Sequence, residues 1–162
     1  IQMRSYGGED SWGMNYRMSK LQAVFGIEQI KKLDRSNSLR RKNSIRRDLN
    51  LKGCDKFILP TDTKYSKNIY YMYPLMLSPN YKESQRDELV RILEKKYGIV
   101  CSVPKFINKR WRYIKKKFGV PRLKYTKFAT DRLLCPIMHS NISEEQENYI
   151  SSALLKSVSK IK

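Results

Sequence analysis

Three helix starts divide this sequence and limit what it can fold into. Ser19 with Gln22, Ser84 with Asp87 and Ser143 with Gln146 each set a hydroxyl three residues ahead of a side chain that can answer it. At that spacing the hydroxyl accepts from an orphan N–H of the first turn, and the later side chain accepts from the cap's own N–H. The first helix is expected to carry Leu21, Val24, Phe25, Ile30 and Leu33 on one apolar face and to continue through Arg40, Arg41 and Ile45 towards Leu49. Ser36, Asn37 and Ser38 weaken it, Gly26 costs about 1 kcal/mol relative to Ala, and Gly53 ends it. The second helix buries Leu89, Leu93 and Tyr97 and stops at Gly98; the third buries Ile150, Leu154 and Val158. Between them, Ile69–Leu77 (IYYMYPLML) and Ile99–Val103 read as strands. Pro74 lacks an N–H, which predicts an edge position or a bulge for the first of these. Residues 1–13 read as loop, broken by Gly7, Gly8 and Gly13, and Lys105–Lys127 as loop with short helix. Helices alternating with short strands predict an α/β or α+β unit.

The 162 residues suit one domain, or one plus a short flanking segment, large enough to bury roughly 70% of the unfolded surface. No apolar run approaches the ~20 residues that span a bilayer, so no membrane partner is expected. The sequence opens at Ile1 without a charged-then-apolar leader, from which truncation and a cytoplasmic location are expected. Cys54, Cys101 and Cys135 are widely separated and odd in number, which speaks against a disulfide framework or a zinc site and for reduced, partly buried thiols. With His139 the single histidine, a His-rich metal site or a Ser-His-Asp triad is hard to build; no metal ligands and no catalytic residue are assigned, and His139 is expected at the surface or in packing.

Thirty-four Lys and Arg against fifteen Asp and Glu leave a formal charge of +19. A field of that sign favours nucleic acid, membrane surfaces or anionic small molecules. Within Lys105–Lys127, Trp111, Tyr113 and Tyr125 interleave with Lys115, Lys116 and Lys117, a pattern able to stack bases and neutralise phosphates. No RNA-recognition, KH or helix-turn-helix signature accompanies it, so a solvated basic face with inward aromatics is the competing reading. Non-specific nucleic-acid binding is the partner expected from charge.

One stretch is more specific. Gly13-Met14-Asn15-Tyr16-Arg17-Met18-Ser19, followed by Leu21, Ala23, Gln29, Leu33, Asp34 and Arg40-Arg41, resembles the G-x-N-Y-R-M-S signature of the DegT/StrS sugar aminotransferases and the helix that follows it. Met3-Arg4-Ser5-Tyr6-Gly7 is similar to the segment before that signature. Downstream, Tyr70-Tyr71-Met72-Tyr73 looks like the family's Y-x-x-Y strand. Arg86-Asp87-Glu88-Leu89 with Leu93, Gly98 and Ile99 looks like its next helix and strand, and Leu134-Cys135-Pro136-Ile137 with Ser143-Glu144-Glu145 like its approach to the last helix. Each match is weak alone; in order along nearly the whole chain they reinforce one another.

The resemblance implies the C-terminal part of a fold-type-I enzyme dependent on pyridoxal phosphate (PLP). It places a cofactor and dimer-interface loop at 1–18, a long interdomain helix region at 19–52, and a small C-terminal α/β domain at 53–162 with a short, mostly antiparallel sheet and flanking helices. It implies a homodimer that takes glutamate and a sugar nucleotide as substrates. Asn15 would reach across the interface to the phosphate of the neighbouring subunit's cofactor, its amide donating to an oxygen, while Arg17 would support the same anion or the interface. The Schiff-base lysine lies upstream of the matched segment in the family, and no lysine here stands in a matching context. The chain alone is therefore expected to be inactive, for want of cofactor attachment and of a base for the proton shift. After Gly98-Ile99 the family commonly carries a His-Tyr-Pro segment lining the sugar-nucleotide site; Ser102-Val103-Pro104-Lys105-Phe106 stands there instead, which leaves the substrate open. Two alternatives remain: a basic RNA- or polyanion-binding module, and a PLP-dependent sugar dehydratase of the same family.

Overall fold

Ser19 caps the first helix as its spacing predicts. Its hydroxyl accepts from the Gln22 N–H at 3.2 Å, and the Gln22 side chain accepts from the Ser19 N–H at 2.9 Å. The computed structural model, which describes residues 17–104, 116–119 and 123–161, runs helix α1 from there over Lys20–Leu51. Ser36, Asn37 and Ser38 do not interrupt it, since weak formers each cost only about half a kcal/mol within a 32-residue helix. The chain divides between Ser36 and Asn37 into two units.

In the first unit the expectation of one apolar face fails. At about 100° per residue, Ile30 stands about 180° and Leu33 about 120° around the helix from Leu21. The apolar side chains thus ring the helix, and all are bare: Leu21 is 81%, Phe25 66% and Ile30 71% exposed.

The second unit holds the core. Strands β1 (Phe57–Ile58), β2 (Leu75–Leu77), β3 (Cys101–Ser102) and β4 (Leu133–Pro136) form an antiparallel sheet in the order β1-β2-β4-β3. Phe57 pairs with Leu77, Leu75 with Leu134, and Cys101 with Pro136. Helices α2 (Glu83–Tyr97) and α4 (Glu144–Val158) supply Leu89, Leu93, Ile150, Leu154 and Val158 to a core shared with Leu75, Leu77, Leu134 and Leu51. A short helix, α3 (Lys124–Thr130), leads into β4. Buried Arg86 fastens α2 to that entry, donating to the carbonyls of Thr130 at 2.7 Å and Leu133 at 3.0 Å. The architecture is the mixed α/β one read from the sequence.

Three local expectations need correction. The strand read over Ile69–Leu77 is confined to its last three residues, and it lies inside the sheet rather than at an edge. Pro74 sits just before it: Leu75 N–H donates to the Tyr73 carbonyl at 3.0 Å, a tight turn centred on a residue that needs no donor of its own. The strand read over Ile99–Val103 likewise shortens to Cys101–Ser102. Finally, α2 begins two residues earlier than a cap at Ser84 suggests. Lys82 is its cap, with the Gln85 side chain accepting from the Lys82 N–H at 2.7 Å, and Asp87 turns instead to Arg86.

Its stop is as read. Gly98 takes φ 66°, and Ile99 N–H reaches back to the Leu93 carbonyl at 3.0 Å, closing the helix through a left-handed residue. Ser143 and Gln146 form the capping box of α4 at 2.9 and 3.2 Å, and Glu144, Glu145 and Glu147 sit in the first turn, where carboxylates suit the helix dipole.

Candidate functional site

The second half of α1 carries Arg40, Asn43, Ser44 and Arg47 at three- and four-residue spacing, one stripe of a helix. Such a stripe reads in sequence as a solvent face, yet Asn43, Ser44 and Arg47 are buried and Arg40 is half-buried. They bind backbone groups that no strand uses. Arg40 Nη1 donates to the carbonyls of Tyr70 (3.4 Å), Tyr71 (3.2 Å) and Met138 (3.1 Å), and Asn43 Nδ2 to those of His139 (3.2 Å) and Ile142 (3.3 Å). The adjacent Arg41 holds the Asn68 carbonyl and pairs with Asp62 at 2.9 Å. Buried carbonyls need partners, and here helix side chains supply them.

Deeper in, Arg47 and Glu147 form a fully buried ion pair, with Nε and Nη2 on the two carboxylate oxygens at 2.6 and 2.7 Å. Arg47 Nη2 also donates to the Ile137 carbonyl at 2.9 Å, and its guanidinium lies 4.8 Å from the Tyr73 ring centre. The Tyr73 hydroxyl donates to Asp48. Burial raises the Asp48 carboxyl above its ordinary range, against the opposing pull of that hydrogen bond and of Arg47.

The Y-x-x-Y segment is a turn rather than a strand. Tyr70 and Tyr73 point inward and stack at 6.0 Å, whereas Tyr71 is 71% exposed. Tyr70 takes φ 51°, a left-handed conformation unfavourable for a bulky side chain. Its N–H is held by the Asn68 side chain at 2.9 Å and its carbonyl by Arg40.

Two adjoining clefts open beside this scaffold, both touching Val100 and Ile137. The first, about 270 Å³, is lined by Arg40, Tyr71, Met72, Ser102, Cys135 and Met138. The second, about 420 Å³, lies among Tyr97, His139, Glu145, Tyr149 and Ile150. Burial pushes the Cys101 thiol up to about 12 and also raises that of Cys135, so neither offers a thiolate near neutral pH. His139 is exposed, as read, with its Nδ1 accepting from the Asn141 N–H at 3.1 Å.

Of the two residues assigned to the cofactor, Asn15 lies outside the described residues. Arg17 is exposed, two positions before the Ser19 cap. Most of Lys105–Lys127 also lies outside them, with Trp111, Tyr113 and Lys115; Lys116, Lys117 and Tyr125 are exposed. Among the described residues no group of His, Cys, Asp and Glu could hold a metal, and no helix is long and apolar enough to cross a membrane. Ser102, where the sequence leaves the common family pattern, does line the Arg40 cleft. The role of Arg40 and Arg47 had no local signal, because their partners lie 30 to 100 residues away.

Known proteins share this fold. The sequence profile of the DegT/DnrJ/EryC1/StrS aminotransferase family matches residues 2–155. The UDP-4-amino-4,6-dideoxy-N-acetyl-beta-L-altrosamine transaminase of Campylobacter jejuni is 26% identical over 151 residues, covering 93% of this chain and 39% of that protein. The chain spans between 32% and 39% of the length of the curated relatives it matches. Among solved structures, Helicobacter pylori PseC, an aminotransferase involved in the biosynthesis of pseudoaminic acid, superposes with a TM-score of 0.81 at 20% identity, over 92% of this chain and 40% of that one. The PMP-form of Spr1654 from Streptococcus pneumoniae, a proposed sugar aminotransferase, gives 0.80 at 17% identity, over 94% and 38%. These likenesses support the fold, and the profile match supplies the family: the chain belongs to the DegT/DnrJ/EryC1/StrS aminotransferases.

Proposed function

We propose that the chain is the C-terminal part of a PLP-dependent aminotransferase that moves an amino group from glutamate onto a keto-sugar nucleotide, working as a cytoplasmic homodimer. The observation that carries this reading is the family match over residues 2–155, in a chain that spans 39% of a Campylobacter sugar transaminase. The reading assigns 1–18 to the cofactor and dimer loop, 19–52 to the interdomain helix and 53–162 to the small domain.

The described residues do not make a PLP site by themselves. None of their lysines is buried; Lys56 is half-buried and the others are exposed. A lysine that takes a carbonyl cofactor needs desolvation or a cationic neighbour to free its amine. Because no lysine here stands in the family's context for it, we assign the attachment lysine to family sequence outside this chain and infer that the chain alone is inactive as a transaminase. PLP, where bound, supplies the electron sink for bond-breaking at the amino-bearing carbon. The contribution assigned to this chain is anchoring: Asn15 would donate its amide N–H to the phosphate held by the neighbouring subunit, and Arg17 would support that anion or the interface.

The test takes the complete product of the gene that contains this sequence, purified with PLP and supplied with glutamate and a keto-sugar nucleotide. Formation of 2-oxoglutarate together with an amino sugar supports the reading. PLP binding with loss of water from the sugar, and no 2-oxoglutarate, selects a dehydratase of the same family. A second reading, polyanion binding, is favoured by the +19 charge alone.

A further inference from the structure

Arginines buried or half-buried in this fold are mostly neutralised. Arg41 pairs with Asp62, Arg46 with Glu144, Arg47 with Glu147 and Arg86 with Asp87. Arg132 has carbonyl partners and lies 4.2 Å from the Phe128 ring centre. Arg40 differs from the paired four in having no carboxylate among the described residues, and it lines a cleft. Its three hydrogen bonds all leave from Nη1. A guanidinium has five N–H donors in a planar fork, so among the described residues the Nε–H and Nη2 edge is left over, and that edge matches two oxygens of a carboxylate or phosphate.

The surroundings suit an anion carried on a less polar body. The Tyr71 ring centre is 5.7 Å from the guanidinium carbon, Met72 and Met138 provide apolar wall, and Ser102 brings a hydroxyl. The turn that carries Tyr71 is the one Arg40 itself holds, with Tyr70 at φ 51°. Local strain of this kind persists where surrounding bonds over-determine it, and it gathers at binding sites. A plain loop staple accounts for the Nη1 bonds; what sets Arg40 apart is a cleft beside a guanidinium that has no carboxylate among the described residues.

We infer that the cleft lined by Arg40, Tyr71 and Ser102 is an oxyanion subsite, in which the Nε–Nη2 edge of Arg40 grips a phosphoryl or carboxylate group of a substrate. The inference rests on the aminotransferase reading for the identity of the substrates, one a nucleoside diphosphate and the other an amino acid; the cleft itself is independent of it.

The 162-residue chain is titrated separately with uridine diphosphate, glutamate and uridine, at low and near-physiological salt. Arginine Nε–Hε and backbone amide signals are followed by NMR. Saturable shifts at Arg40 Nε–Hε and the Ser102 amide are expected from one of the two anions and not from uridine. Uridine diphosphate as the effective probe identifies the phosphoryl source, and glutamate the carboxylate source. Arg40→Lys, which keeps the charge but loses the fork, should weaken that binding by about tenfold or more. Since Arg40→Lys also disturbs the Tyr70 turn, Ser102→Ala serves as a second variant: it leaves every Arg40 bond in place and should weaken binding by about threefold to tenfold, the usual range for one hydrogen bond. Shifts scattered over the basic surface that vanish with salt, saturable binding that maps elsewhere, or variants that bind as the parent does would each overturn the subsite. Failure of the transaminase assay alongside saturable Arg40 shifts would instead sink the enzymatic reading and leave the subsite standing.

Discussion

Replacing Glu147 by Leu should be among the most damaging single changes available in this chain. Glu147 and Arg47 are both 0% exposed, and the change leaves a guanidinium buried with, among the described residues, the Ile137 carbonyl as its remaining hydrogen-bond partner. Removing one member of a buried ion pair costs about 3–5 kcal/mol, because the other charge stays out of water unpaired. The Ser151 hydroxyl, 3.2 Å from Glu147, loses its acceptor as well. For a protein of this size each kcal/mol moves the melting temperature by about 2–4 °C, so a fall of roughly 6–20 °C follows. The double variant Arg47→Met/Glu147→Leu behaves differently. It removes both desolvation penalties and forfeits the bond to Ile137, so it should lie within about 2 kcal/mol of the parent. Urea unfolding followed by far-UV circular dichroism, at constant slope, gives all four corners of the cycle. A single variant within 1 kcal/mol of the parent, or a double variant as unstable as the two singles summed, would refute the claim that the pair acts as one buried unit.

Four further outcomes follow from other parts of the chain. Asp48 has a raised pKa when folded, so its neutral form is favoured: its contribution to stability is fully present below the unfolded value of 3.8 and is lost as pH rises through the raised folded value. Asp48→Asn, with urea unfolding measured on both sides of that window, should flatten this loss; an unchanged pH profile counts against a raised Asp48. The bare apolar ring of α1 should make the chain self-associate despite its charge, and Val24→Glu with Ile30→Glu should abolish the concentration dependence seen in sedimentation velocity. Nucleic acids should bind without sequence preference at Kd of about 10⁻⁴ to 10⁻⁶ M near physiological salt; a preference above about tenfold that survives high salt would favour base readout. In the complete gene product, Asn15→Ala should lower PLP affinity by about tenfold to a hundredfold, the value of one hydrogen bond to a charged group. Mixed with subunits lacking the attachment lysine, Asn15→Ala subunits should partly recover activity; mixed dimers that form without recovery would place Asn15 away from the interface.

Local chemistry was readable and distant chemistry was not. Ser19, Ser143, Gly53 and Gly98 act within a few residues of themselves, and each starts or ends a helix where its type predicts. Leu89, Leu93, Ile150, Leu154 and Val158 face the core because helical spacing puts them on one side. Ile69–Met72 has the composition of a strand but is drawn into a turn, since Arg40 and Arg41, about 30 residues earlier, take the carbonyls of Asn68, Tyr70 and Tyr71. The apolar residues of α1 passed for a single face because each neighbouring pair has helical spacing; the rotation between Leu21 and Ile30 accumulates only over nine residues. Asn15 and Arg17 are assigned from a motif alone, whereas the Arg40 cleft depends on segments that meet only in the folded chain.

The sheet has one consequence for how this chain can fail. Its outer strands, β1 and β3, are two residues long, and Pro60 and Pro104 follow each by two positions, removing a backbone donor where a further strand would pair. An incoming strand therefore meets too short a ladder to lengthen, and growth into cross-β fibrils has no ready template at either border of the sheet. Material lost on storage or heating should accordingly come down as amorphous precipitate through exposed helix rather than as amyloid, a difference that thioflavin fluorescence registers.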